Sequence, residues 1–251
     1  MDNLGRFGYS PFGVRQVDGG YRIFIGFDST QAIAYRVLCN SIWKYVPEHL
    51  QGQVRIYPLI LSEFVAMAGW ARPLDPLQST EFTYLRFAVP WLCQYRGKAL
   101  FIDSDMLALG DITQLFDSHD MTNFALKVVQ HDHNPTNQRK MGDKVQTSYP
   151  RKNWSSVMLM DCAKLTQWSL EAAQQWTGKQ LHRFEGIPDA MIGELPAYWN
   201  HLDVRTKDTR LLHYTDGGPW LPGYENHPYG APWFEARQNY LDKTSAPCDL
   251  D

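Results

Sequence analysis

The sequence predicts an α/β fold in which a mostly parallel sheet is flanked by helices on both faces. Two observations lead to this prediction: short apolar runs alternate with amphipathic segments, and they follow one another in the order of strand–helix–strand units. The 251 residues are 44% hydrophobic, which is enough for one large core. We therefore predict a single domain over 1–251, with an irregular segment rich in Gly, Pro and aromatic residues at about 215–251.

Six strands are predicted from short apolar runs. The runs cover residues 21–27, 54–61, 99–102, 124–129, 156–160 and 210–214. The first run is closed by Asp28, a residue type that often caps the start of a helix. The third run is followed directly by an acidic turn. Parallel strands bring such polar residues to one edge of a sheet, where ligands bind in open α/β folds.

Helices are predicted between the strands from apolar residues spaced three and four apart. They cover residues 34–45, 80–95, 111–117, 162–177 and 188–195. The first must end before Pro47, and Pro90 should kink the second. Gly178 is a C-cap for the fourth, and Pro188 suits the first position of the fifth. The segment 62–78 is predicted to be irregular.

Composition excludes several classes of protein. The net charge is −3 and no dense basic run is present, so nucleic acid is not the main partner. No stretch reaches the roughly 18–20 apolar residues that span a bilayer, and the first residues lack the pattern of a signal peptide. The four cysteines form no CxxC pair, which predicts reduced, buried thiols and a cytoplasmic protein.

The stretch KALFIDSDMLALGDI places Asp103 and Asp105 directly after a buried strand. In an extended segment, residues two apart point the same way, so both carboxylates can converge on one point. Two close carboxylates repel unless a cation lies between them, and Mn²⁺ or Mg²⁺ suits oxygen ligands. The alternative is an ordinary turn, because Asp and Ser are common turn residues.

Four stretches resemble glycosyltransferase family 8, a family of retaining enzymes with the GT-A fold. They are FIGFDST, TEFTYLRFAVPWLCQYRGKALFIDSDMLALGDITQLFD, NWSSVMLMDCAKLTQW and LLHYTDGGPW. They follow the family's order from about Tyr21 to Trp220, which is most of the chain. The resemblance implies a GT-A fold and the transfer of a hexose, with retention, from a nucleotide-diphosphate sugar. The implied donor is a UDP-sugar, and the implied acceptor is a carbohydrate, a glycolipid or another hydroxyl compound.

The resemblance also assigns roles to individual residues. Asp103 and Asp105 match the metal-binding pair, and His213 matches the third metal ligand. Those implied to contact the donor are Asp28, Arg86, Ser104 and Asn153. Asp189, at the position of an acid beside the donor sugar, is implied to be catalytic together with Arg86. The implied cofactor is Mn²⁺, or Mg²⁺.

Three departures from the family pattern indicate a divergent member. Gly218 stands where the family has a lysine that binds the diphosphate. Ala190 follows Asp189 where the family has a glutamine, which puts a covalent mechanism through that side chain in doubt. The block at Asn153 reads Asn-Trp-Ser-Ser, so the family asparagine is offset or replaced there.

Each assigned residue has a structural alternative. Arg86 could form a buried ion pair, His213 could be a core histidine, and Asp28 could simply cap a helix. Asp189 could be an acid favoured by the first turn of its helix. The sequence His131-Asp132-His133 suggests a ligand cluster, but it lies in a polar segment where solvated side chains are expected.

Two other classes of function remain open. A haloacid-dehalogenase-type phosphatase also uses a strand ending in DxD, although there the motif normally lies near the start of the chain. A non-catalytic nucleotide-sugar-binding protein is the other alternative, because the family's lysine and glutamine are missing. The polar segment 130–153 is long for a loop inside one domain and is predicted to be a lid over the donor.

Overall fold

The structure is a computed structural model. It describes residues 13, 20–75, 78–132, 139–140, 144–145 and 151–242. The strands are β1 Tyr21–Gly26, β2 Val54–Leu59, β3 Lys98–Ile102, β4 Met106–Ala108, β5 Leu126–Val128, β6 Arg139–Lys140, β7 Lys144–Val145, β8 Val157–Asp161, β9 Ile192–Glu194, β10 His201–Leu202 and β11 Leu211–His213. The α-helices are α1 Ala32–Tyr45, α2 Leu61–Ala68, α3 Val89–Leu92, α4 Gln114–Asp117, α5 Leu170–Gln175, α6 Gly178–His182 and α7 Gly230–Leu241.

The largest sheet has six strands in the order β2-β1-β3-β8-β5-β9. Strands β1, β2 and β3 are parallel to one another, as are β5 and β9. Strand β8 is antiparallel to both of its neighbours, β3 and β5. All the strands except β8 therefore point the same way, which confirms the prediction of a mostly parallel sheet.

The side chains of β1 alternate between two cores, one on each face of the sheet. Phe24 packs into one core, while Ile23 and Ile25 pack into the other. Leu38 of α1 joins the core of Ile23, and Leu181 of α6 joins the core of Phe24. Helices therefore cover both faces, as the strand–helix alternation predicts. Full burial of each such side chain contributes about 1.5–3 kcal/mol.

A smaller sheet, in the order β10-β11-β4, is joined to the large one by a short connection. The chain leaves β3 at Ile102 and enters β4 at Met106, so the acidic turn lies between the two sheets. Strand β11 pairs antiparallel with β4 and parallel with β10. The sequence analysis did not predict β4, because three apolar residues after a turn are too short a pattern to identify.

Several predicted elements are wrong. The helix predicted over 188–195 is a 3₁₀ turn, Asp189–Met191, followed by β9. Periodicity cannot separate a short buried helix from a strand. Here the segment is a strand because it pairs with β5. A Cβ at Gly193 would lie 2.8 Å from the Lys127 side chain of the neighbouring strand. The helix predicted over 80–95 is a turn, a 3₁₀ helix over Leu85–Ala88 and the short α3.

Two helices occur where irregular structure was predicted. Helix α2 begins at Leu61 and covers the first part of the segment 62–78. It ends at Gly69, whose φ of 65° is the left-handed C-cap conformation. Helix α7 lies inside the segment 215–251. Its Gly230 and Pro232 are residue types that suggest a loop, but both lie in the first turn of the helix. The N–H that Pro232 lacks would have no partner within the helix there, so its absence costs nothing.

The prediction of reduced thiols is wrong at one residue. Cys39, on α1, is disulfide-bonded, whereas Cys93 and Cys162 are buried free thiols. None of the helices in the described part of the chain is long and apolar enough to cross a membrane. Most of the segment 130–153, for which a lid is predicted, lies outside the described residues. The part described includes the paired strands β6 and β7.

Candidate active site

The acidic turn is fixed by backbone hydrogen bonds at both of its ends. The N–H of Asp103 donates to Ser156 O at 2.9 Å, which extends the pairing of β3 with β8. The N–H of Tyr214 donates to Asp105 O at 2.9 Å, which extends the pairing of β4 with β11. Ser104, between the two aspartates, is 5% exposed. Both carboxylates are therefore held where the two sheets meet.

The register of the small sheet brings His213 to the same place. His213 lies opposite Met106 in the antiparallel pairing of β11 with β4. Its Nε2 is 3.2 Å from Asp105 Oδ1. One ligand atom from each of Asp103, Asp105 and His213 lies within 4.8 Å of the others. The predicted convergence of these three side chains is thus observed in the structure, although His213 lies about 110 residues after the two aspartates in sequence.

Arg86 pairs with the first of the two aspartates. Its Nη1 lies 2.8 Å from Asp103 Oδ1, and the two side chains are 6% and 14% exposed. The guanidinium also donates to two backbone carbonyls, Thr83 O at 3.0 Å and Ser155 O at 2.9 Å. The ring of Phe101 lies 4.8 Å from its central carbon. Arg86 is consequently fixed from several directions beside the acidic turn.

The site holds more negative than positive charge, and its pKa values reflect this. Burial and the neighbouring Asp105 charge raise the pKa of Asp103 to about 6, although Arg86 opposes the shift. Burial alone would lower the pKa of His213, but the carboxylates of Asp105, Asp103 and Asp203 outweigh it, so this pKa is raised. Both shifts indicate a site that is short of positive charge.

These residues fit a divalent cation. Two carboxylates and one imidazole are a usual ligand set for Mn²⁺, and they lie close enough to share one ion. Within the described residues, no N–H is directed at Asp103 Oδ1 with hydrogen-bond geometry, although Arg86 is near. A buried carboxylate oxygen in this state keeps a lone pair available for a ligand.

The stability of the metal-free protein should fall as the pH rises from about 4 to about 6. The pKa of Asp103 is about 6 in the folded protein and 3.8 without the fold. Between these values the native state keeps a proton that the unfolded state has lost, and ionising the buried group destabilises the native state. The measurement is the melting temperature of wild type and Asp103→Asn across this range.

As the pH rises, the melting temperature of wild type should fall relative to that of Asp103→Asn. Saturating Mn²⁺ should remove this trend, because a bound cation favours the ionised carboxylate. Affinity for Mn²⁺ should also weaken below about pH 6, where protons compete for Asp103. Parallel curves for wild type and variant would show that the pKa of Asp103 is not raised.

Asp28 and Asn153 lie near the ends of strands at this edge of the sheet. Asp28 caps the turn after β1: its Oδ1 accepts from Thr30 N at 2.9 Å, and its Oδ2 accepts from Glu81 N at 3.2 Å. The capping alternative is therefore observed for Asp28. Asn153 has a φ of 63°, and its buried Nδ2 has no hydrogen-bond partner among the described residues.

Asp189 is not part of the acidic cluster. Its side chain is 83% exposed, and its Oδ1 lies 2.5 Å from Nη2 of Arg151. Of the His-Asp-His sequence in the polar segment, His131 is partly buried, Asp132 is exposed, and His133 lies outside the described residues. The metal-ligand geometry found in the described part of the chain is that of the triad alone.

The position of the family's diphosphate-binding lysine is filled by another side chain. A Cβ on Gly218 would lie 1.9 Å from the ring of Trp220. That ring is held by a hydrogen bond from its Nε1 to Gln31 Oε1 at 2.9 Å. A lysine at 218 would therefore require Trp220 to move.

One residue close to the site was not predicted from the sequence. Asn200 is completely buried, and its Oδ1 lies 2.9 Å from His213 Nδ1. A single asparagine after aromatic residues carries no pattern that points to a site. Only the fold brings it to the imidazole.

Known proteins are similar to this chain in sequence and in fold. The family model described as glycosyl transferase family 8 matches residues 71–183. Protein CDI of Arabidopsis thaliana is 36% identical over 239 residues, which cover 91% of this chain and 90% of that protein.

Solved structures are similar at lower identity. The galactosyltransferase LgtC, solved with donor and acceptor sugar analogs, is 16% identical with a TM-score of 0.55, over 90% of this chain and 97% of that one. The bifunctional glycosyltransferase WbbM is 14% identical with a TM-score of 0.53, over 90% of this chain. The chain spans about half of WbbM, 53% of its length. At these identities the likeness shows a shared fold.

The central sheet with helices on both faces matches GT-A glycosyltransferases, and the acidic pair lies beyond a strand end where that fold binds ligands. The class that fold and family define is thus a glycosyltransferase, as the sequence predicts. The chain belongs to glycosyltransferase family 8.

Proposed function

We propose that the protein is a metal-dependent, retaining hexosyltransferase that uses a UDP-sugar and transfers the hexose to a saccharide or another hydroxyl acceptor. The observation that carries the proposal is the triad of the partly buried Asp103 and Asp105 and the buried His213, whose ligand atoms lie within 4.8 Å of one another. Family membership and the similarity to a galactosyltransferase solved with donor and acceptor sugar analogs support the substrate class. The phosphatase alternative has no such support.

Asp103, Asp105 and His213 would hold the cation, with Mn²⁺ favoured over Mg²⁺ because one ligand is an imidazole. When bound, the cation would act as a Lewis acid that neutralises charge on the departing diphosphate. The two aspartates orient the site, since both ends of their turn are fixed by backbone hydrogen bonds.

Arg86 would add the second positive charge. Its guanidinium is held 2.8 Å from Asp103, beside the place where a diphosphate bound at the triad would lie. Arginine binds phosphate oxygens in pairs, and its charge cannot be lost by deprotonation. The rings of Phe82 and Phe101 flank the guanidinium, at 5.4 and 4.8 Å, and keep water away from it. Electrostatic stabilisation is larger in such surroundings than in water.

The remaining assigned residues would contact the two sugars and the nucleoside. Asn153 would donate from its buried Nδ2, which has no other partner in the described structure. Asp28 and Ser104 lie at the ends of β1 and β3 and would line the nucleotide. Asp189 would polarise the donor sugar or the acceptor after release from Arg151, because its exposed carboxylate is open to a second substrate.

UDP together with Mn²⁺ should stabilise the protein more than either compound alone. The triad must hold a cation before a diphosphate can approach two carboxylates. At a ligand concentration about a hundred times the dissociation constant, the free energy of unfolding should rise by about 2.7 kcal/mol. The measurement is thermal unfolding with UDP, with Mn²⁺, with both, and with both plus excess chelator.

Asp120→Asn is a suitable control, because Asp120 caps the exposed Thr122 turn and should not alter the response. An equal shift by UDP in excess chelator would contradict the cation site. Donor turnover is tested by incubating a panel of UDP-hexoses with Mn²⁺, with water as the acceptor, and following the release of UDP and the anomeric configuration of the free sugar. Donor binding without any release would indicate a nucleotide-sugar-binding protein instead of an enzyme.

A further inference from the structure

The imidazole of His213 makes a second buried contact on the side away from the aspartates. Its Nδ1 lies 2.9 Å from Asn200 Oδ1, while its Nε2 lies 3.2 Å from Asp105 Oδ1. Asn200 is 0% and His213 is 3% exposed, so water does not compete for either group. Each ring nitrogen therefore faces a different partner.

The direction of these hydrogen bonds can be worked out from one backbone carbonyl, since a carbonyl oxygen can only accept. Ser156 Oγ lies 2.6 Å from Asn153 O and donates its proton there. The same hydroxyl oxygen then accepts from Asn200 Nδ2 at 2.8 Å. The NH₂ of the amide thus faces Ser156, and its oxygen faces His213. Because an amide oxygen only accepts, Nδ1 of the imidazole carries a proton.

We propose that Asn200 is a positioning residue for the cation site. Its Oδ1 accepts the Nδ1 proton of His213, so that the imidazole presents Nε2 to Asp105 and to the proposed cation. This inference rests on the proposed function, which makes His213 a cation ligand. A histidine that binds a metal through one nitrogen needs an acceptor for the proton on the other.

An amide suits this place better than a carboxylate would. Metal-binding histidines are often paired with a carboxylate, which would add negative charge. Here the triad already holds two carboxylates, and burial together with the charge of Asp105 raises the pKa of Asp103. The Asn200 amide supplies an acceptor and adds no net charge to the site.

The hydrogen-bonded chain also joins the two sheets. Asn200 directly precedes β10, which pairs with β11, the strand of His213. Its backbone N–H donates to Ala197 O at 2.9 Å. Ser156 directly precedes β8 of the large sheet. The orientation of the imidazole is thus fixed by elements from both sheets before any ligand arrives, which lowers the entropic cost of binding.

The test compares two variants of similar size, Asn200→Asp and Asn200→Leu. Asp keeps an acceptor for the Nδ1 proton, whereas Leu fills the space without one. We expect Asn200→Leu to weaken Mn²⁺ binding by about 10- to 100-fold and Asn200→Asp to bind it nearly as tightly as wild type. The measurement is the electron paramagnetic resonance signal of free Mn²⁺ in a titration. Tyr21→Phe, which loses a hydrogen bond to Asp117 at the far end of β1, should bind as wild type does.

A second readout needs no metal. In protein with ¹⁵N-labelled histidine, the His213 signal is the one that His213→Gln loses. We expect it to report a hydrogen-bonded proton on Nδ1 in wild type. This hydrogen bond should be lost in Asn200→Leu and weakened in Ser156→Ala. Near-ultraviolet circular dichroism checks that each variant is folded.

The outcomes separate the two proposals. Wild-type protein that binds no Mn²⁺ would overturn the proposed cation function. If wild type binds Mn²⁺ but folded Asn200→Leu binds it equally well, Asn200 has only a packing role. An Nδ1 without a hydrogen-bonded proton in the wild type would likewise overturn the role of Asn200 and leave the cation site standing.

Discussion

Asp105→Ala should slow sugar transfer by more than about 100-fold, and His213→Ala should slow it by about 10- to 100-fold. Each change removes one ligand of the proposed cation, and loss of a metal-orienting group is worth at least this much. Asp105 should matter more because it contributes a negative charge as well as a ligand atom. The measurement is the initial rate of UDP-sugar turnover at saturating and at limiting Mn²⁺.

Metal-free stability distinguishes this loss from misfolding. Because the charge of Asp105 raises the pKa of Asp103, removing it relieves repulsion, and Asp105→Ala should unfold no earlier than wild type without metal. Asp161→Asn is the matched control, since Asp161 ends β8 at the opposite edge and pairs with Lys164. If His213→Ala turns over donor at the wild-type rate with the same metal dependence, His213 is a core histidine.

Arg86→Met should lower the free energy of unfolding of the metal-free protein by about 3 kcal/mol. Breaking a buried ion pair leaves the partner charge uncompensated, which costs about 3–5 kcal/mol. The lower end applies because Asp103, with a pKa of about 6, can take up a proton instead. The measurement is urea unfolding with and without Mn²⁺. The ion should restore part of the lost free energy of unfolding, because it neutralises the charge of Asp103.

Arg22→Met is the matched control. Arg22 is as buried as Arg86, at 4% against 5% exposed, but it donates to the backbone carbonyl of Lys98 and not to a carboxylate. Its loss should destabilise the protein, and Mn²⁺ should give no extra recovery. Equal recovery in the two variants would mean that Arg86 and the cation do not share Asp103. Arg86→Met should also slow transfer, since it removes the proposed phosphate contact.

The chain departs from its family most clearly at the diphosphate. The space of the missing lysine is taken by Trp220, whose ring lies against Gly218. This places the neutralisation of the leaving group on the cation and Arg86 in the proposed mechanism. Asp105→Ala and Arg86→Met therefore probe the charges on which transfer would depend most.

Much of the fold and the central part of the site follow from local pattern. Alternation along β1 separates Phe24 from Ile23 and Ile25, and the structure puts them on opposite faces of the sheet. Asp103 and Asp105 come directly after a buried strand, and strand geometry alone brings two such carboxylates together. The unbroken apolar run of β3 predicts a buried strand, and β3 lies inside the large sheet between β1 and β8.

Short elements and surface roles could not be predicted in the same way. Strand β9 has three residues, and its pairing with β5 distinguishes it from the helix that its apolar pattern suggested. The contact between the exposed carboxylate of Asp189 and Arg151 likewise has no local pattern in the sequence. Such outcomes depend on neighbours that are distant in sequence.

The sequence by itself determined the α/β class, the family and the acidic pair at the end of β3, because each depends on residues close together in the chain. The tertiary structure decided what surrounds that pair. The register of β11 against β4 sets His213 opposite Met106, and burial places Arg86 against Asp103. Asn200 meets His213 only because two strands of the small sheet run side by side. Pairing and burial join residues that no local pattern connects, so only the tertiary structure brings these side chains together.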